Sequence, residues 1–252
     1  MDQFSVEMIC KEQAPSIQWG SMLHGLLMEN LPEPWPEELH RDDLRPVSQW
    51  IEIKGPDCFI WHIHSLRDDF TEMLESMLLE KTEYILKHND VSLSVSNVEK
   101  RHCSLAEYMK SFFLAEEACP GLFMTFRTPT THKTMGQYAV FPSADLIAGN
   151  LRKRLCAIAP DFALADEQAY EQVLQHTRIQ RYKLESARYQ LEGTGVVGYT
   201  GRLELRFFGP DPLRRLAGAL FAFAEWSGVG IKTALGMGGC EVMIRERTKT
   251  ND

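Results

Sequence analysis

Two groups of residues in this 252-residue chain have types and spacing suited to chemistry: eight histidines, and a glycine-rich run near the carboxyl end. Histidine suits proton transfer because its unperturbed pKa lies near neutrality. His40 stands in a polar stretch, Glu38-Leu39-His40-Arg41-Asp42-Asp43-Leu44-Arg45, read here as a loop after the first helix. His24 sits on that helix beside Gly25. His62 and His64 are two apart on an expected strand and so share a face. With no third ligand nearby except Asp68 or Asp69, they read as a sheet-surface pair rather than a zinc site. His88, His102, His132 and His176 are scattered.

The glycine run is Gly228-Val229-Gly230-Ile231-Lys232-Thr233-Ala234-Leu235-Gly236-Met237-Gly238-Gly239, five glycines in twelve residues. Such density disfavours order unless the backbone needs unusual dihedrals or close approach to a ligand. Successive N–H groups in such a run can point at a phosphate, with Lys232 adding charge and Thr233 a hydroxyl. Dinucleotide and phosphate loops follow a strand and open a helix. Here the order is reversed, which disfavours both. A compact connection needing only tight turns is the other reading.

The elements that must position these residues follow from periodicity. Phe4, Val6, Met8 and Cys10 alternate as in a half-buried strand. A helix spans about 16–30, stopped by Pro32. Strands at 47–53 and 58–64 flank the turn Lys54-Gly55-Pro56-Asp57. A helix at 67–81 and a strand at 91–98 complete a β-α-β-β-α-β order, the ferredoxin-like arrangement. Further on, helices are expected at 104–118, 144–158 and 166–176, and strands at 122–127 and 138–141. Long strands at 178–192 and 196–208 flank Gly193-Thr194-Gly195. A helix runs from Pro210 to Trp226, and a last strand covers 239–246. The second half repeats the first topology. The expected fold is α+β: two tandem ferredoxin-like (RRM-like) βαββαβ domains, 1–125 and 126–252, with a C-terminal glycine-rich loop.

Composition narrows the function classes. No apolar run approaches the ~20 residues that span a bilayer, and the first residues lack a signal-peptide layout; both point to the cytoplasm. Cys10, Cys58, Cys103, Cys119, Cys156 and Cys240 form no C-x-x-C pair, against a zinc ribbon or a dithiol redox site. The net charge of −8 divides unevenly: residues 1–177 carry −12 and residues 178–252 carry +4. The basic end can meet phosphates. It offers Arg178, Arg181, Lys183, Arg188, Arg202, Arg206, Arg214 and Arg215. Arg178 and Arg188 share parity on one strand, interleaved with Tyr182 and Tyr189. Either this is a phosphate track with stacking rings, or it is a solvated sheet face.

The glycine run, with Gly-x-Gly-x5-Gly-x-Gly after Trp226-Ser227, resembles the C-terminal loop of the CRISPR-associated endoribonucleases that cut precursor CRISPR RNA, within the repeat-associated mysterious protein superfamily. Gly198-Tyr199-Thr200-Gly201-Arg202-Leu203-Glu204-Leu205 resembles the strand before that family's last helix. Phe126-Arg127-Thr128-Pro129-Thr130 resembles its interdomain S-P-T stretch, with Arg127 and Thr128 departing from it. Tyr138 to Leu151, with Phe141-Pro142, resembles the family's next segment. The resemblance implies two ferredoxin-like domains, binding of CRISPR repeat RNA, and cleavage leaving a 2′,3′-cyclic phosphate. It matches His40 to the catalytic histidine and Arg45 to the basic residue leading into the second strand. The family's assisting helix tyrosine is replaced by Met28 or His24, making His24 the candidate third catalytic group. RNA binding then falls to Gly228, Gly230, Lys232, Thr233, Gly236 and Gly238, with Arg178, Arg181, Arg188 and Arg202.

Cleavage by the RNA's own 2′-hydroxyl needs a base, an acid and a group that offsets phosphorane charge. It requires no metal, and no cofactor is expected. Two other readings stay open: a non-catalytic subunit that holds the crRNA among other subunits of a CRISPR effector complex, and a small-molecule enzyme on the same scaffold.

Overall fold

The computed structural model describes residues 1–41, 46–86, 90–191 and 193–246, apart from the side chains of His40 and Arg41. Strand β1 (Asp2–Ile9) alternates as expected, with Phe4, Val6 and Met8 buried on one face. Helix α1 (Gly20–Asn30) follows, then α2 (Trp35–Arg41), β2 (Val47–Ile53), β3 (Cys58–Ser65), α3 (Asp68–Glu80), β4 (Glu83–Leu86) and β5 (Val91–His102). The strands form one antiparallel sheet in the order β2-β3-β1-β5-β4. Leu23, Leu27, Phe70, Leu74 and Leu78 of the helices pack on its apolar face against Phe4, Val6, Phe59 and Trp61.

Two features differ from expectation. The stretch holding His40 is a short helix, α2, and not a loop. Pro36 fits a first helical turn, Glu37 and Glu38 complement its dipole, and Leu39 is buried. An extra edge strand, β4, pairs with β5; four residues beside a helix end are too few to show a period.

Helix α4 (Leu105–Phe113) opens with a capping box between Ser104 and Glu107. The second half then runs β6 (Gly121–Thr130), the hairpin β7 (His132–Thr134) and β8 (Gln137–Ala139), α5 (Ala144–Ile158), α6 (Glu167–Gln175), β9 (Thr177–Leu191), β10 (Thr194–Phe207), α7 (Asp211–Ala222), α8 (Ala224–Ser227) and β11 (Cys240–Ile244). Its sheet has the order β11-β6-β10-β9. Numbered within each half and leaving out β4 and the β7–β8 hairpin, both sheets read 4-1-3-2, so two ferredoxin-like units stand in tandem. Residue 125 lies within β6, so a boundary that keeps this strand whole falls before Gly121. Helix α4 packs with the second unit: Tyr108 is buried in that core and its hydroxyl donates to Ala219 O at 2.5 Å.

The two units are joined through Gln49 on β2. Its Nε2 donates to Gly20 O at 3.0 Å and to Ala234 O at 2.6 Å, and its Oε1 accepts from Trp61 Nε1. One buried amide thus ties α1, β3 and the glycine segment together. Gln49→Leu leaves the Trp61 indole N–H and the Ala234 carbonyl without this partner, for a loss of about 3 kcal/mol. Thermal unfolding should register this as a fall in Tm of roughly 6–12 °C for a chain of this size. An unchanged Tm would show that the amide is dispensable.

Two buried histidines set the acid limit. Burial, aided by the charges of His62 and Arg101, holds the His64 pKa down at about 3, and burial holds His132 at about 4. Both are neutral in the folded chain, while the unfolded chain takes up protons below about 6.5. Stability should therefore fall as pH drops from about 6.5 towards 4, by about 1.4 kcal/mol per unit for each group. Urea midpoints measured across this range should decline, and His64→Asn should flatten the decline.

Candidate functional site

The glycine segment is a buried wedge rather than an open cradle. Gly228, Gly230, Gly236 and Gly238 are buried, and so is Thr233. Their amides are already engaged. Gly228 N donates to Ala224 O, Gly230 N to Asn150 Oδ1, Gly236 N to Thr233 O and Gly238 N to Pro129 O. Gly239 N donates to Thr128 Oγ1, and Ile231 N to Thr131 O. The expectation that these glycine amides grip a ligand is therefore corrected: Gly228 and Gly236 bond within their own turns, and the other amides hold the loop against α5, β6 and Thr131. The stretch that resembled the interdomain S-P-T segment, Phe126 to Thr130, is part of strand β6 and accepts the Gly238 and Gly239 bonds.

The need for glycine is steric at two contacts. A Cβ on Gly20 would lie 2.5 Å from Leu235 O and 2.7 Å from Gly236 Cα, besides striking the Tyr189 hydroxyl. Gly236 itself has φ +97, a conformation side chains rarely adopt. Backbone meets backbone here, at the junction of α1 with the loop. Tyr189, expected as a stacking ring, is fully buried instead, and its hydroxyl donates to Leu235 O at 3.1 Å.

One residue of the segment breaks this pattern. Lys232 is exposed, and it holds a left-handed conformation (φ 58, ψ 29) without being glycine. Its neighbours Gly230 and Thr233 are pinned by Asn150 and Arg154 of α5. The turn Thr233–Leu235 that comes next packs against α1 and β2. Lys232 is therefore a cation held out from a rigid base, at the seam between the two units.

His24 lies on α1, one turn after Gly20, and is buried at 9% exposure. His40 lies on α2; its side chain, and Arg45 altogether, fall outside the described residues. Arg41 ends α2 and Val47 opens β2, so five residues, at most ~20 Å of chain, separate that helix from the strand touching the loop.

The open face of the second sheet carries the remaining candidates. Arg181, Lys183 and Arg202 are exposed and line a shallow groove of about 360 Å³ with Phe123, Tyr182, Glu204 and Arg245. Arg202 lies 4.0 Å above the Phe123 ring. Glu204 faces Arg245 at 3.3 Å, and among the described residues Arg181, Lys183 and Arg202 have no carboxylate partner. Arg178 instead folds back on the end of α6, donating to Gln175 O and Thr177 O. The expected shared face of Arg178 and Arg188 is also corrected. The β9–β10 register slips between Glu204 and Leu205, leaving Gln180 unpaired, and one extra residue reverses the side on which later residues point. Arg188 thus lies against Gly195 on the opposite face. Phe123 and Arg245 escaped the sequence reading because each is unremarkable on its own strand; only the register brings them to Arg202 and Glu204.

His62 offers no ligand position. Its ring stacks on Trp50, Nδ1 lies 3.2 Å from Ser5 Oγ, and Nε2 lies 3.2 Å from Glu52 Oε2. Burial lowers its pKa, against the raising effect of Glu52. A larger cleft of about 780 Å³, between α1, β4 and the tip of the β9–β10 hairpin, is lined by Trp19, Met22, Leu26, Glu29 and Ile85. Among the described residues it holds no pair of groups for acid–base work. Among the described residues no helix is long and apolar enough to cross a membrane.

Comparison with known proteins agrees with the fold. Residues 124–240 match the family model for CRISPR-associated endoribonuclease Cas6. The Streptococcus thermophilus CRISPR-associated endoribonuclease Cas6 is 30% identical over 92% of this chain and 94% of its own length. Among solved structures, a Cas6 product complex superposes with a TM-score of 0.81 at 22% identity, covering 96% of this chain and all of that one. A histidine-to-alanine mutant of a Cas6 gives 0.75 at 19% identity, over 96% and 99%.

The left-handed turn at Lys232 yields a test independent of any ligand. A side chain in this conformation costs about 1 kcal/mol relative to glycine. Lys232→Gly should therefore raise Tm slightly, or leave it unchanged, in the free protein. A clear drop in Tm would show that the lysine side chain itself supports the fold.

Proposed function

The chain belongs to the Cas6 family of CRISPR-associated endoribonucleases, and from that premise we propose that it cuts CRISPR repeat RNA within precursor crRNA without a metal. The RNA supplies its own nucleophile. A base removes the 2′-hydroxyl proton and the 2′-oxygen attacks the adjacent phosphorus. The 5′-oxygen then leaves with a proton from an acid, and the RNA upstream of the cut ends in a 2′,3′-cyclic phosphate. Each proton taken is matched by one given, so acid–base residues suffice.

His40 is the group we assign to proton transfer, and Arg45 to offsetting phosphate charge. His24, buried on α1, supports the site from the adjacent helix. Lys232 holds the RNA backbone, and Arg181, Lys183 and Arg202 extend the contact along the open sheet face. The observation that carries this reading is Lys232 itself: an exposed cation in a conformation that favours glycine, where the loop meets α1 and β2. The histidine-to-alanine mutant among the structural neighbours is consistent with a histidine in the chemistry of that relative.

The test is cleavage of labelled repeat RNA in excess chelator by the wild type and by His40→Ala. The wild type should cut, with an upstream product one water lighter than the 3′-phosphate by mass spectrometry. His40→Ala should cut at least about 100-fold more slowly while keeping RNA affinity within a few fold. Full activity in that variant removes His40 from the mechanism; a retarded but intact band from the wild type favours a non-catalytic crRNA-binding role. Lys232→Ala should weaken binding and flatten its salt dependence by about one phosphate contact.

A further inference from the structure

Arg154 projects from α5 into the space behind the glycine segment and is 8% exposed. Its Nη1 donates to Ser227 O at 3.1 Å, and its Nη2 donates to Thr233 Oγ1 at 2.9 Å and reaches Gly230 O at 3.5 Å. Asn150, one helical turn earlier, brackets Gly230: Nδ2 donates to its carbonyl at 3.3 Å, and Oδ1 accepts from its amide at 2.8 Å. Lys232 lies between these two pinned residues. Helix α5 therefore sets the turn that displays the lysine.

The acceptors around Arg154 are all neutral. Among the described residues no carboxylate pairs with it, and its buried Nε has no partner. Burial draws the guanidinium pKa down to about 10, which still leaves it charged at neutral pH. A buried cation without a counter-charge is unfavourable, and an apolar side chain of similar volume would avoid that cost. The Ser227 carbonyl, at the end of α8, offsets only part of it. Lys232 is the exposed residue of this turn, so the charge missing from the interior has a place to arrive from outside.

We propose that Arg154 is a positioning residue of the RNA-backbone site: it fixes the turn that presents Lys232, and the phosphodiester that Lys232 meets completes its charge balance. This rests on the RNA-binding reading above and deepens it. Among the described residues no carboxylate pairs with either group, so a phosphate landing on the lysine interacts with two positive charges, one of them preorganised and shielded from water.

The experiment measures affinity for repeat RNA carrying a 2′-deoxy substitution at the cut site, at low and high salt, with Tm recorded with and without RNA. Arg154→Gln and Arg154→Lys both lose the two-armed geometry, but only the lysine keeps the charge. At low salt Arg154→Gln should bind about tenfold more weakly, and Arg154→Lys within about threefold of wild type. Thr233→Val, which keeps the charge and removes one hydrogen bond, should stay within about threefold. The rise in Tm on adding RNA should be smaller in Arg154→Gln, and its loss of affinity should shrink when Lys232 is already alanine. Arg154→Met is a second neutral variant, should the glutamine chain not fold. Equal RNA affinity of the neutral and lysine variants at low salt overturns the proposal. If Lys232→Ala alone leaves binding intact, the RNA-backbone reading of the loop fails. If Lys232→Ala weakens binding but Arg154→Gln does not, only the role given to Arg154 fails.

Discussion

The architecture turns on a contact of main chain with main chain. Gly20 on α1 and Gly236 in the C-terminal segment approach so closely that neither tolerates a side chain, and the Gln49 amide seals the junction by bonding carbonyls on both sides. Everything placed at the seam inherits its rigidity from that approach. Interior-like packing between two domains leaves little room for relative sliding. A cation carried there, like Lys232, is presented at a fixed position rather than swept through solvent. Such preorganisation is what electrostatic stabilisation of a developing phosphorane charge requires.

Much of the fold was legible in the sequence because two periodicities are hard to disguise. The alternation of Phe4, Val6 and Met8 marked β1, and Ala144–Ile158 emerged as α5 with its expected bounds. The repeated β-α-β-β-α-β order followed from such elements in succession. The features that escaped were short or set by distant partners. Four residues cannot display a strand period, which hid β4. In α2 the polar residues around His40 masked a helix whose apolar anchors are Trp35, packed on Phe70, and Leu39.

The site was legible in residue type and less so in role. Glycine density correctly marked an unusual backbone, but the reason proved to be packing: the amides satisfy carbonyls and side chains of β6 and α5. Sequence cannot distinguish a glycine that makes room for a ligand from one that makes room for another part of the chain. The arginine track failed at a single residue, since parity along a strand is preserved only while the ladder is regular. Arg154 drew no notice because an arginine on a helix is ordinarily solvated, and only coordinates show it turned inward.

The placement of α4 bears on how the chain is made. This helix comes after the first sheet in sequence, yet it buries Tyr108 and Phe112 in the second core and bonds Ala219, 111 residues later. A ribosome adding ~5–20 residues per second leaves the apolar side of α4 without its partner for roughly 6–20 s. Through that interval the nascent first half carries an amphipathic helix that its own core does not cover. Vectorial synthesis thus creates a window in which a holdase chaperone, or a second nascent copy, competes with α7 for the same surface. The capping box at Ser104 keeps α4 helical locally, so the segment waits as a preformed element rather than as loose chain.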